Sequence, residues 1–328
     1  MRPYAYVRAH DVAGAVATLA EAPNAAFLAG GTNLVDLMKL GIEKPDVLVD
    51  VRRLTSERVE DLEDGGLRIG AAVPNSVLAA DRKVRTSYPV LSQALLAGAS
   101  GQLRNVATTG GNLLQRTRCV YFYDKTTPCN KREPGSGCSA IEGHNKNHAV
   151  LGASEHCVAT HPSDMAVALA ALEAFVNARG PDGERRIPIE QLYRLPGGEP
   201  QRDTTLEHGE LITSVDLPPL AFSSNSKYRK VRERASYAFA LVSVAAALDV
   251  QDSVVRDVRI ALGGVAHKPW RATKAEEALR DEPATGENFC AAADIELEDA
   301  QPLRDNAFKV PLVRNVITRT LLDLSEER

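Results

Sequence analysis

Two glycine turns, each set between a strand-like run and a helix-like run, constrain this chain more than anything else in it. Residues 29–34 read AGGTNL, and residues 104–113 read RNVATTGGNL. Glycine lets a backbone approach a ligand closely, and a helix start offers unpaired N–H groups to an anion. The spacing is neither G-x-G-x-x-G nor G-x-x-x-x-G-K-[ST], so neither a dinucleotide Rossmann turn nor a P-loop is supported. A single turn of this kind is as often a mere tight connection. Two of them in one domain suit one pyrophosphate gripped from both sides.

The flanking pattern supplies the frame. Asp11 is an N-cap for the helical run DVAGAVATLAEA, AFLAGG is a short buried strand, TNLVDLMKLG a helix with Gly41 as C-cap, and DVLVDV (46–51) a further strand. Strand, glycine turn, helix and strand in that order predict a parallel crossover. GLRIGAAV reads as a strand, 75–98 as largely helical, HPSDMAVALAALEA as a helix, and RRIPI and GELITSVDL as strands. Pro and Ser accumulate at 219–226, which predicts a boundary. Beyond it KYRKVRERASYAFALVSVAAALDV and VRDVRIALGGVA read as long strands, followed by the helices ATKAEEALR and VPLVRNVITRTLLDL.

With 328 residues the chain can bury a large core in two or three domains. Its 43 acidic and 39 basic residues leave a net charge of −4, which argues against nucleic acid as a partner. The longest apolar run, Ala238–Leu248, is too short to cross a bilayer. The first residues lack a signal peptide's charged start and apolar block, so the expectation is a cytoplasmic protein. No Ser–His–Asp or paired-carboxylate arrangement and no molybdopterin motif is visible.

Immediately after the second turn the chain changes character. Four of its five cysteines, Cys119, Cys129, Cys138 and Cys157, fall in a polar segment, 116–157, separated by nine, eight and eighteen residues. Such a long irregular loop needs an internal staple. Clustered thiols without a secretion signal point to metal rather than disulfides. Four thiolates suit a tetrahedral zinc or an iron–sulfur cluster, and the spacing matches the common pairs of neither, so both stay open. Arg116, Arg118, Lys125, Lys131 and Arg132 either offset an anionic thiolate cluster or form a solvated surface. His144, His148, His156 and His161 make the region histidine-rich, and a histidine ligand is the lesser reading beside four cysteines. Cys290 reads as a small packed residue, and His267 and Trp270 as residues that fix a corner or a subunit contact.

AGGTNL, LRNVATTGGNL and KYRKVRERASYAFALVSVA together resemble the FAD-binding subunit of the xanthine dehydrogenase and carbon monoxide dehydrogenase family of molybdenum hydroxylases. The similarity runs almost end to end and is strongest to the FAD subunits of bacterial aldehyde oxidoreductases. It implies an α+β chain with the FAD-binding fold of vanillyl-alcohol oxidase and p-cresol methylhydroxylase, and a C-terminal sheet-and-helix domain like that of the carbon monoxide dehydrogenase flavoprotein. The implied divisions are 1–55, an N-terminal α/β subdomain; 56–220, a second FAD-binding subdomain carrying the loop 116–157; and 221–328, the C-terminal domain.

Carried onto this sequence, the resemblance assigns Ala29, Gly30, Gly31, Thr32, Asn33 and Leu34 to the first pyrophosphate loop and Thr108, Gly111 and Asn112 to the second. It brings Asp164 to the flavin side and Lys230 near the isoalloxazine, where a cation would stabilise reduced flavin. A few relatives with such an insert carry a 4Fe-4S cluster, which implies Cys119, Cys129, Cys138 and Cys157 as its ligands. The implied partners are a large molybdopterin subunit that oxidises an aldehyde and a small subunit with two 2Fe-2S clusters. Some relatives are exported folded with a signal-bearing partner, which would place the protein in the periplasm. The alternatives are a stand-alone flavin reductase of the same fold and a zinc-stapled scaffold without redox activity.

Overall fold

The computed structural model describes residues 1–326. The chain builds three sheets in sequence. The first is parallel: β1 (Ala5–Arg8), β2 (Ala25–Leu28) and β3 (Val47–Asp50) lie in the order β1-β3-β2. Parallel neighbours cannot be joined by a hairpin, so helices make the crossovers. The helix Val12–Glu21 starts where the Asp11 carboxylate accepts from the Gly14 amide at 2.7 Å. The helix Leu34–Leu40 stops at Gly41, whose φ of 68° is the left-handed cap that glycine adopts without strain.

The second sheet is antiparallel, with β4 (Val59–Asp61), β5 (Leu67–Gly70), β6 (Phe175–Gly180), β7 (Gly183–Pro188) and β8 (Leu211–Leu217) in the order β4-β5-β8-β6-β7. The third comprises β9 (Ser226–Val231), β10 (Val242–Gln251), β11 (Val254–Gly263) and β12 (Trp270–Arg271) in the order β12-β11-β10-β9. The β10–β11 hairpin turns at Asp252 and Ser253, with φ of 52° and 62°; two positive φ values match the right-handed twist of the flanking strands. No helix among the described residues is long and apolar enough to cross a membrane.

How the second and third units meet decides where the site lies. Side chains alternate across a strand, and β10 uses that period to serve two cores. Val242, Val244, Ala246, Leu248 and Val250 pack with Val313, Ile317 and Leu321 of the helix Lys309–Glu326. On the opposite face Ala245, with Ala261 of β11, joins the core containing the helix Asp164–Ala171. Small residues on that face let the alanine-rich helix come close. A Cβ on Gly263 would lie 2.6 Å from Cγ2 of Val167, so nothing larger fits there. Truncating a buried leucine such as Leu248 to alanine in this layer costs about 2–5 kcal/mol.

Three expectations change. The stretch from 227 to 250 is two strands, not one, because 232–241 folds back on itself: Arg232 donates to the carbonyls of Ala97 and Ala235, and Arg234 to that of Tyr237. The strand β6 and the helix Gly286–Glu296 had no distinct sequence signal. The cysteine loop, moreover, is far from a bare surface excursion. Phe122 is 1% exposed and packs with Leu37 and Cys129. Val150 and Leu151 enter the third unit's core, with the amide of Val150 donating to the Val265 carbonyl at 2.8 Å.

Candidate functional site

The two glycine turns are packed against each other. A Cβ on Gly30 would fall 2.1 Å from the carbonyl oxygen of Val106, so the backbone leading into the second turn lies directly on the first. Gly31 has a φ of 72°, and a Cβ there would approach Val35 Cγ2 at 3.0 Å. The fold itself therefore requires both glycines. Gly111 is different: a Cβ would meet only Thr108 Oγ1 at 3.0 Å and Ala29 Cβ at 3.8 Å. Thr108 caps the short helix Thr109–Leu113, its hydroxyl accepting from the Gly111 amide at 3.2 Å.

Two clefts open on either side of this contact. The smaller, of about 240 Å³, is lined by Ala29, Gly30, Gly31, Thr32, Asn33, Leu34, Thr108 and Gly111, with apolar walls from Phe27, Leu37, Val51 and Ile212. The larger, of about 510 Å³, is lined by Thr32, Gly111, Asn112, Asp164 and Lys230, with Arg104, Arg118, Tyr237 and Phe239 at its sides. Thr32 and Gly111 line both. The residues singled out in the sequence thus fall on one two-lobed cleft with a waist at the glycine turns.

Hydrogen bonds tie the waist to the third sheet. Asn112 Oδ1 accepts from the hydroxyl of Ser163, the N-cap of the helix Asp164–Ala171, and that hydroxyl accepts in turn from the Ala166 amide at 3.0 Å. Asp164 stands in the first turn, where the helix dipole favours a carboxylate. Its Oδ2 takes a hydrogen bond from Lys230 Nζ at 2.7 Å, and its Oδ1 one from the Tyr228 hydroxyl. Lys230 also donates to the Ala97 carbonyl at 3.2 Å. Lys230 is thus no solvated strand lysine: its side chain is 4% exposed. Tyr228 was missed by sequence reasoning, although its i, i+2 spacing from Lys230 puts both on one face of β9. Burial, and then the neighbouring carboxylate, push its hydroxyl well above the ordinary pKa.

The cysteine loop leaves the waist at Arg116, whose amide donates to Asn33 Oδ1 at 2.9 Å. Arg116, Arg118, Lys131 and Arg132 make their hydrogen bonds and ion pairs elsewhere than at the thiols. Arg116 pairs with Glu43 at 2.6 Å and with Asp203, and the buried Lys131 donates to Asp203 and to the Pro200 carbonyl. His267 Nε2 lies 2.9 Å from Lys131 Nζ. Burial opposes ionisation of Asp203, but His267, Lys131 and Arg116 overcome it and hold the carboxyl well below its usual range. Arg132 donates to the carbonyls of Tyr121, Phe122 and Thr127. Arg118 contacts Asp36 at 3.6 Å and the ring of Phe239 at 5.2 Å. Lys131 alone acts on a thiol, pulling the Cys157 pKa down against a larger effect of burial. Trp270 does fix a corner, donating to Glu296 Oε1 at 2.8 Å.

Cys119, Cys129, Cys138 and Cys157 line one small cavity, and all five cysteines are free. Cys129 and Cys138 face each other across an isolated antiparallel bridge. Burial pushes the Cys119 thiol up to about 12 and that of Cys157 to about 11. Neutral thiols gain nothing by converging, and among the described residues no three of His, Cys, Asp or Glu are placed to hold a metal ion. His148 Nε2 stands 3.1 Å from Cys119 Sγ, and burial, with a further push from Lys309, lowers its pKa to about 4. His144 and His156 are exposed, and His161 packs edge-on against Tyr193 with ring centroids 4.5 Å apart. Cys290 lies apart, on the helix Gly286–Glu296.

Known proteins share both the sequence and the shape. Residues 2–220 match the family described as FAD binding domain in molybdopterin dehydrogenase, and residues 226–324 match the CO dehydrogenase flavoprotein C-terminal domain. The chain is 51% identical over 324 residues to the aldehyde oxidoreductase FAD-binding subunit PaoB of Escherichia coli (strain K12), with 98% of each chain covered. It is 26% identical over 274 residues to the glyceraldehyde dehydrogenase medium chain of Sulfolobus acidocaldarius, covering 84% of this chain and 80% of that one. Carbon monoxide dehydrogenase from Hydrogenophaga pseudoflava, solved without the Mo-pyranopterin moiety, has the same fold, with a TM-score of 0.77 at 24% identity over 99% of this chain and 98% of that chain.

Proposed function

The chain belongs to the FAD-binding subunits of the molybdenum hydroxylases, as an oxidoreductase subunit of the xanthine dehydrogenase and aldehyde oxidoreductase type, and on that premise we propose that it forms the electron exit of an aldehyde-oxidising complex. In this reading a large molybdopterin subunit oxidises an aldehyde, a small subunit passes the electrons through its 2Fe-2S clusters, and this chain delivers them to an external acceptor. Bound FAD would supply the exchange between one-electron and two-electron carriers.

The single observation that carries the reading is the waist at Thr32 and Gly111, where the lining of one cleft becomes that of the other. A dinucleotide has the same form: two bulky ends and a narrow, charged middle. The apolar small lobe suits an adenine, the glycine turns suit the pyrophosphate, and the large lobe suits the isoalloxazine. Lys230 then sets a buried positive charge beside the ring site, and Asp164 holds that charge in place. Tyr228 fixes the carboxylate from its other side. Co-purification of FAD, and its loss on narrowing the waist, test the placement.

The finer reading gives the loop a 4Fe-4S cluster held by Cys119, Cys129, Cys138 and Cys157. Two observations support it. Cys119, Cys129, Cys138 and Cys157 line one small cavity, and four cysteines are the donor set such a cluster takes. Arg118, next in sequence to Cys119, lines the large lobe, so the loop reaches the proposed flavin site. Iron measured per chain in the purified complex, against a Cys129→Ser variant, tests it: equal iron in the two would remove the cluster from this loop.

A further inference from the structure

Both oxygens of Asp164 are taken by side chains of one strand. Lys230 Nζ donates to Oδ2 at 2.7 Å, and the Tyr228 hydroxyl donates to Oδ1. The i, i+2 spacing on β9 sets the two donors side by side on the face that meets the helix Asp164–Ala171. Lys230 and Asp164 line the large lobe, and Tyr228 does not. Its ring, 8% exposed, packs in the core with Ala245 and Ala261, and its backbone amide donates to Gln93 Oε1 at 2.8 Å. The phenol therefore acts on the lobe through Asp164.

The charges of the lobe make that link matter. Its lining holds two carboxylates, Asp36 and Asp164. Asp36 contacts Arg118 at 3.6 Å, which leaves Asp164 as the negative charge set against Lys230. Gly98 lines the lobe too, and a Cβ there would lie 3.2 Å from Asp164 Oδ2, so the glycine leaves that oxygen uncovered on its side. Burial first, and the carboxylate second, keep the proton on the phenol oxygen, so the hydroxyl is a donor. A hydrogen bond donated to a carboxylate is charge-assisted and takes up part of its negative charge. The less negative Asp164 is, the less it cancels Lys230, and the low dielectric of a buried pair magnifies the difference.

We propose that Tyr228 is a positioning residue of the flavin site: by donating to Asp164 Oδ1 it lessens the negative charge set against Lys230, and so makes bound FAD easier to reduce. This rests on the reading that the large lobe takes the isoalloxazine. A stronger net positive charge beside the ring favours the reduced, more negative form. A phenylalanine would fill the same space in the core and give up the donor alone.

The test is a dithionite titration of the co-expressed, purified complex with mediators, read from the flavin part of the visible spectrum, with FAD per chain and melting as controls. Tyr228→Phe should keep its FAD, while the reduced-to-oxidised ratio at fixed ambient potential falls about tenfold, a shift of about 30 mV for a two-electron couple. In an Asp164→Asn background the same change should shift the potential far less, because the group it acts through is neutral. Melting of the apoprotein should show the matching coupling, with Tyr228→Phe costing less stability in the Asp164→Asn background than in the wild type. An unchanged or raised potential in Tyr228→Phe overturns the inference. An equal shift in the Asp164→Asn background overturns it as well, and so does loss of FAD from Tyr228→Phe, which would make the hydroxyl a holder of the cofactor. Lys230→Met separates the inference from the reading beneath it. If that variant's potential is also unchanged, the ring does not sit by Lys230 and the placement falls; if it drops while that of Tyr228→Phe does not, the inference alone falls.

Discussion

Lys230 Nζ lies 2.7 Å from Asp164 Oδ2, and this one contact joins a strand of the third sheet to the first turn of a helix in the second unit. Both side chains are nearly closed to solvent, at 4% and 9% exposure. A buried pair is costly to leave half-made. Lys230→Met should destabilise the chain by about 3 kcal/mol, and Asp164→Asn added to it should recover part of the loss. Thermal melting of the single and double variants measures this; a double variant no more stable than Lys230→Met would contradict it. In the purified complex the same Lys230→Met change should make FAD harder to reduce, read as a lower midpoint potential.

Asp203 is the staple that the loop's composition called for. It gathers Arg116 and Lys131 from the loop and His267 from the third unit. Asp203→Asn leaves Lys131, whose side chain is 1% exposed, without its carboxylate, a loss of about 3 kcal/mol. Limited proteolysis should then cut within 116–157 faster than in the wild type. Unchanged cleavage and melting would mean that the loop is held by something else.

His161 gives the chain an acid-sensitive element. Burial first, with His267 and Lys131 adding to it against the pull of Asp203, lowers its pKa from the ordinary 6.5 to about 3. The unfolded chain therefore takes up a proton below pH 6.5 that the folded ring resists until about pH 3. The stability tied to this residue is complete above pH 6.5 and drains away as pH falls toward 3. His161→Phe should flatten the fall in melting temperature between pH 7 and pH 5 by a few degrees. The same fall in variant and wild type would refute the assignment.

Much of this was legible in the chain because short-range chemistry decides it. Asp11 caps its helix, Gly41 ends the next one, and the turn at Gly30 and Gly31 joins a strand to a helix, all from rules that span a few residues. The two glycine turns could be paired as one site because both carry the same residue types. What stayed hidden depends on contacts far apart in sequence. Nothing local announces that the Val106 carbonyl rests on Gly30, or that Asp203 would claim the loop's cations. Nothing local marked Tyr228 as a partner of Asp164, and Arg232 and Arg234 gave no warning that they would fold a loop into a stretch that read as one strand.

The waist of the cleft tests the central claim most directly. Gly30 and Gly31 are needed by the fold, so replacing them confuses loss of cofactor with loss of structure. Gly111 lines both lobes, and a side chain there meets little beyond the Thr108 hydroxyl. The decisive measurement is FAD per chain in the co-expressed, purified complex for wild type, Gly111→Ala and Gly111→Val, with melting of each as the control on folding. The account predicts a graded loss, partial with alanine and near complete with valine, while the apoprotein's melting temperature stays within a few degrees of the wild type's. Full FAD occupancy in Gly111→Val would contradict it and place the cofactor's phosphates elsewhere.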